Sequence, residues 1–147
     1  MALLSTAELV MLLERNLPAV DRRNEIIEEI DDDSLQMRLP VLDSYLSHDL
    51  PPGSGRTLIS GPVMISFADT AMYACVHAFY GADMFATIVS LNVSFLRTAG
   101  AGDLSAAVRI LRKGKSLAFM EALLFSGENE ERCSHVTATY SVRKVGA

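Results

Sequence analysis

The sequence predicts an α+β domain in which an antiparallel sheet curves around one buried helix. Three observations carry this expectation. Residues 62–80 form a long apolar segment whose only formal charge is Asp69. After Gly81 the hydropathy period becomes two and stays so through four segments joined by short turns. The chain has 147 residues, half of them apolar and 21% charged, which suits one globular domain. A helix that is apolar all round must be buried on most sides, and a run of strands is the surface that buries it.

Ser5 is the expected N-cap of a first helix, with Glu8 at capping-box spacing. Leu9, Leu12, Leu13 and Val20 make its apolar stripe, and Pro18 marks its end. Residues 1–22 therefore read as an N-terminal helical extension and 23–147 as the single main domain. Residues 24–31 and 34–41 alternate as two short strands turning at Asp32-Asp33, and 47–57 read as a Pro- and Gly-rich loop. Gly61-Pro62 opens the central helix, because proline suits the first turn, where its missing N–H is not needed. Gly81 closes it. Strands are expected over 86–97, 104–112, 117–126 and 133–143, with turns at 99–102, 113–115 and 127–130. Their consecutive order predicts a simple meander.

Composition excludes several classes. No apolar run reaches the roughly 18 residues of a membrane span. The N-terminus has no basic region of the signal-peptide type. Two cysteines, Cys75 and Cys133, form no CxxC, so neither a zinc ribbon nor a disulfide scaffold is expected, and a reducing cytoplasm is the expected location. Residues 1–50 hold eleven acids and four bases, whereas 51–147 hold seven acids and nine bases, four of them between Arg109 and Lys115. One local basic cluster on an acidic protein fits a small anionic ligand better than nucleic acid. Gly114-Lys115-Ser116 mimics a P-loop tail, but Arg109 occupies the position of the required glycine and a strand follows. His48 and His135 lack metal-ligand spacing, so no metal is expected.

Asp69 is the residue that does not fit a structural helix. A carboxylate in apolar surroundings costs several kcal/mol unless paired or hydrogen-bonded, and no base lies within the helix. It either bonds a neighbour such as Thr70 or Tyr73, caps a nearby loop, or serves as a nucleophile or general base. The helix start Ser60-Gly61-Pro62 places free N–H groups at a positive pole, with Gly61 the natural donor because Pro62 has none. That is either an ordinary helix start or an oxyanion-binding one. Eight residues of helix separate Gly61 from Asp69 by roughly 12 Å. One reacting carbonyl needs both within about 3–3.5 Å. One chain cannot supply both, but two antiparallel helices across a twofold axis can. Cys75 and His77, two residues apart, face different sides of the helix and make a poor nucleophile pair.

The string Ser60-Gly61-Pro62-Val63-Met64-Ile65-Ser66-Phe67-Ala68-Asp69-Thr70-Ala71 resembles the helix motif H-G-G-x-x-x-x-L-x-D-x-A of PaaI-like hotdog-fold acyl-CoA thioesterases. The likeness continues through Leu91-Asn92-Val93-Ser94-Phe95-Leu96-Arg97, Gly102-Asp103-Leu104 and Lys113-Gly114-Lys115-Ser116-Leu117-Ala118. The resemblance implies a hotdog fold and hydrolysis of an acyl-CoA thioester, with Asp69 as the catalytic carboxylate and Gly61 as the oxyanion donor. It implies a homodimer with interface sites, or a dimer of dimers. Coenzyme A enters only as part of the substrate, its nucleotide lying near Arg97, Lys113, Gly114 and Lys115, and no separate cofactor is implied. Three positions depart from the family pattern. Ser60 stands for its histidine, Ser54 for its asparagine, and Ile88 for the Ser or Thr that orients water in some relatives. Ser90 or Thr87 could substitute for the last. Ser60, Ser54, Ser90 and Tyr73 are thus the candidate positioning residues, and Tyr73, Phe79, Met64 and Phe85 the candidate acyl-pocket lining. The rival readings are a non-catalytic acyl-CoA binder and a hotdog hydratase or dehydratase.

Overall fold

The computed structural model describes residues 1–127 and 131–146, so the turn expected at 127–130 lies outside the described residues beyond Gly127. Helix α1 spans Thr6–Asn16. Its cap is the expected one: the Glu8 N–H donates to Ser5 Oγ at 3.2 Å, and the Ser5 hydroxyl reaches the Glu8 carboxylate. Leu9, Leu12 and Leu13 are buried, but Val20 lies beyond the helix end and is exposed, so the stripe stops at Leu13.

Strands β1 (Ile26–Ile30) and β2 (Ser34–Leu39) form the expected hairpin. The segment read as a loop is partly ordered: β3 (Leu46–His48) and β4 (Thr57–Ile59) pair as a small ribbon. Asp49 gathers the intervening residues by accepting the N–H groups of Gly53 and Gly55, and these bonds lower its pKa. Helix α2 spans Gly61–Tyr80, followed by β5 (Met84–Phe95), β6 (Leu104–Lys113), β7 (Leu117–Ser126) and β8 (Glu131–Lys144).

One antiparallel sheet of six strands runs in the order β1-β2-β6-β7-β8-β5. Strands β6, β7 and β8 make the expected meander, but β5 pairs with β8 and not with β6. The physical reason is reach. From β5 to β6 the chain must cross three strand spacings, about 14 Å. Residues 96–103 can span that extended. They cross at the start of α2, where the Ile59 N–H donates to Ala99 O at 2.8 Å. Strand β5 is therefore a sheet edge, and it carries the exposed apolar side chains Phe85, Ile88, Val89 and Phe95.

The concave face is built by period two. Leu104, Ala106 and Val108 of β6, Ala118, Met120, Ala122 and Leu124 of β7, and Val136, Ala138, Tyr140 and Val142 of β8 all point inward and are buried. They pack with Phe67, Ala71, Met72, Cys75 and Phe79 of α2 in one core. Each large side chain so buried contributes about 1.5–3 kcal/mol. The inward alanines let the helix sit close. Only a strip of α2 stays half-exposed, and Ser66, Asp69 and Tyr73 lie on it.

His77 is wholly buried. Its Nδ1–H donates to Gly81 O at 2.9 Å, and Nε2 has no partner among the described residues. Burial holds its pKa below the ordinary 6.5. The unfolded chain therefore binds the proton more readily, and stability is fully present above pH 6.5 and falls with acidification through the folded pKa. Thermal melts between pH 7 and 5 should show this loss, and His77→Leu should flatten that slope even if it lowers stability overall. An equal slope in both proteins would assign the acid sensitivity elsewhere.

Candidate active site

The start of α2 opens into a cavity of about 520 Å³. Ser60, Gly61, Met64, Phe95 and Arg97 are among its walls, and most of the lining is apolar. Ser60 supplies no side-chain cap to the helix, and the first intrahelical bond runs from the Met64 N–H to Ser60 O at 3.1 Å. The amides ahead of Met64 are thus the unsatisfied donors every helix start carries, and Gly61 contributes one on the cavity wall. A Cβ placed on Gly61 would meet only the Phe95 ring, at 3.9 Å. The fold itself leaves room for a side chain there.

Asp69 lies eight residues further along the same unbroken helix, so the separation of about 12 Å holds. It is half-buried and, among the described residues, forms no salt bridge. Its partner is neither Thr70 nor Tyr73. The buried Tyr140 hydroxyl donates to Asp69 Oδ1 and lies 3.2 Å from the Asp69 carbonyl oxygen. Burial, reinforced by the Asp69 charge, pushes the Tyr140 pKa upward. Sequence reasoning missed Tyr140. A signal existed: the inward positions Val136, Ala138, Tyr140 and Val142 are apolar except for this one hydroxyl.

The other expected site residues separate into groups. Ser60 and Met64 share the cavity with Gly61, and Arg97 lies at its rim in an exposed 3.4 Å pair with Glu131. Ser54 is exposed in the loop, where its Oγ accepts the Arg56 N–H at 3.1 Å, and it does not line the cavity. Ser90 lies with Asn92, Thr137 and Thr139 in a shallow hollow that Gly61 and Asp69 do not line. Thr87 is exposed on the same strand, and Ile88 pairs across it with Tyr140. Tyr73 accepts the Asn16 side-chain N–H at 3.1 Å and lines a second hollow with Phe85 and Arg15, whereas Phe79 is in the core.

The basic turn sits at the far end of α2. Tyr80 donates its hydroxyl to Gly114 O at 2.6 Å, and Lys113 Nζ lies 5.1 Å from the Tyr80 ring centre. Gly114 has a structural reason of its own, since a Cβ there would come within 2.4 Å of Leu117 O. Twenty residues of α2, about 30 Å, separate this turn from the Gly61 cavity within one chain. Burial pushes the Cys75 thiol up to about 12, which keeps it protonated and unsuited to nucleophilic attack. No cluster of metal-ligating side chains occurs among the described residues. None of the helices is long and apolar enough to cross a membrane.

A family model described as the thioesterase superfamily matches residues 57–133, the stretch from β4 into β8 that includes Gly61 and Asp69. A provisionally named thioesterase from Silicibacter sp. TM1040 is 30% identical, with 97% of this chain and 94% of that one covered and a TM-score of 0.82. A thioesterase from Haemophilus influenzae is 17% identical over 98% of this chain and 94% of that one, with a TM-score of 0.80. A hypothetical thioesterase from Streptococcus pneumoniae, solved with coenzyme A, is 12% identical over 95% and 98%, with a TM-score of 0.72. At such identities the last two share the fold. No curated protein matches the sequence.

Proposed function

The chain belongs to the thioesterase superfamily and has its hotdog architecture, and from that premise we propose that it hydrolyses acyl-CoA thioesters in the PaaI-like manner. The observation that carries the reading is the division of labour along α2. A largely apolar cavity with Gly61 in its wall marks its start, and a lone carboxylate lies on its half-exposed strip about 12 Å away. The unpaired, apolar edge of β5 supports a twofold partner that would bring the second chain's carboxylate to the first chain's cavity. A dimer of dimers is compatible with the same site.

In this mechanism the thioester carbonyl oxygen faces the Gly61 N–H at the positive end of α2. Asp69 of the partner subunit either attacks the carbonyl carbon or takes a proton from the attacking water. The tetrahedral intermediate collapses, the C–S bond breaks, and the electron pair leaves with the CoA sulfur; where water attacked, the free acid forms directly, and where Asp69 attacked, water then cleaves the acyl–carboxylate anhydride to release the acid and restore Asp69. A thiolate is a good leaving group, so no strong general acid is required. Arg97 at the cavity rim would meet the phosphates. Lys113 and Lys115, at the opposite end of the helix, would come from the other subunit, while Gly114 shapes their turn. The structural relative that holds coenzyme A supports this class of ligand.

Serine at position 60, where the family has histidine, favours one second reading, a binder that does not turn over. Thiol release from a panel of acyl-CoAs distinguishes the two: free CoA supports hydrolysis, and tight binding without thiol supports the binder. Co-assembly tests the shared site. Chains defective at Gly61 and chains defective at Asp69, each inactive alone, should recover part of their activity when mixed. No recovery would overturn the division between subunits.

A further inference from the structure

We propose that Tyr140 is a positioning residue of this site: its hydroxyl holds one carboxylate oxygen of Asp69, so that the other is presented to the attacking water or the thioester. The inference rests on the reading of Asp69 as the reacting carboxylate.

Tyr140 is 1% exposed and comes from the last strand, 71 residues from Asp69. For packing alone phenylalanine would serve, since the neighbouring inward positions of β8 are Ala138 and Val142. A buried phenol needs a hydrogen-bond partner, and the only one among the described residues is Asp69, through its carboxylate and its carbonyl oxygen. Both of these are acceptors, so the tyrosine must donate, and its proton is fixed toward Asp69. Burial and the adjacent negative charge keep the phenol protonated across any assay range. The hydroxyl is therefore a permanent donor that exchanges no proton in the reaction.

Two effects follow. The Asp69 side chain is restricted in rotation before substrate arrives, which is the kind of preorganisation that raises turnover. A hydrogen bond donated to the carboxylate also offsets part of the cost of holding its charge partly out of water. Asp69 needs this help, because it is half-buried and, among the described residues, no salt bridge compensates its charge.

Tyr140→Phe in the full chain deletes the hydroxyl and little else. Turnover of the best acyl-CoA substrate should fall about tenfold, with KM changed less than about twofold. Replacing Tyr140 with 3-fluorotyrosine keeps the hydroxyl and strengthens the donor, and turnover should stay within about twofold of the parent's, so the test survives if the phenylalanine variant folds poorly. In the Asp69→Asn background, adding Tyr140→Phe should slow the protein no further. Parent-like turnover in the Tyr140→Phe protein, a loss in the 3-fluorotyrosine protein as large as that in Tyr140→Phe, or a further loss when Tyr140→Phe is added to Asp69→Asn overturns the positioning role. A fully active Asp69→Asn protein overturns the reading of Asp69 instead, and the two failures are separate measurements.

Discussion

Asp69→Asn should lower thioester hydrolysis by about 10²–10⁴-fold, the range expected when a general base is lost. The substitution is isosteric. Its amide oxygen can still accept the Tyr140 hydroxyl, so the buried phenol keeps a partner and the fold should be unaffected. What disappears is the capacity to take a proton or to form an acyl bond. Thiol release measured beside size-exclusion chromatography checks both halves: turnover should collapse while the assembly stays the same size. Full activity in this variant would remove the carboxylate from the mechanism. Aggregation would instead assign Asp69 a structural role that the half-exposed strip does not suggest.

Gly61→Ala should cost about 10²-fold in kcat/KM while leaving stability within about 1 kcal/mol, the scale of the Gly-to-Ala helix preference. The two halves of this expectation come from one measurement. Beyond its chain neighbours and its own helix backbone, a methyl group at Gly61 first meets the Phe95 ring, at 3.9 Å, so the folded monomer accepts it. The same methyl projects beside the amide that is to face the carbonyl oxygen, and a displacement of about 1 Å there is enough to lose two orders of magnitude. Thermal melts and thiol-release kinetics on the same preparation provide the check. A variant that melts like the parent and also turns over like it would show that no substrate approaches this amide.

Much of the fold was readable because one physical cause fixed each element. The nearly uncharged run at 62–80 had to be an interior helix, and alternation placed each strand of the six-stranded sheet within two residues of its observed ends. Strand order was less legible. Alternation says which face a side chain takes but not which neighbour a strand chooses, and β5 found β8 because residues 96–103 were long enough to cross. The ribbon of β3 and β4 was hidden among turn-forming residues, since two strands of three residues carry too little periodicity to register. In the site, Gly61 and Asp69 stood out as exceptions to a local pattern. Tyr140 did not, because one tyrosine among inward apolar residues is usual in a β-strand, and its meaning depends on a contact spanning 71 residues. Ser54 stands at the family's asparagine position and Ser90 offers a hydroxyl near its water-orienting one, but the loop and the strand direct those groups elsewhere.

The place of β8 has a consequence for synthesis on the ribosome. The final strand is inserted between two earlier ones, β7 on one side and β5 on the other. Until it emerges, β5 has no intramolecular neighbour, and its twelve residues present two open edges. A nascent chain halted before residue 131 would have its helix and its aspartate but neither a closed sheet nor the phenol that steadies the acid. One strand thus both completes the sheet and supplies the phenol beside Asp69, and deleting β8 should be far more harmful than deleting as many residues from the N-terminal helical segment.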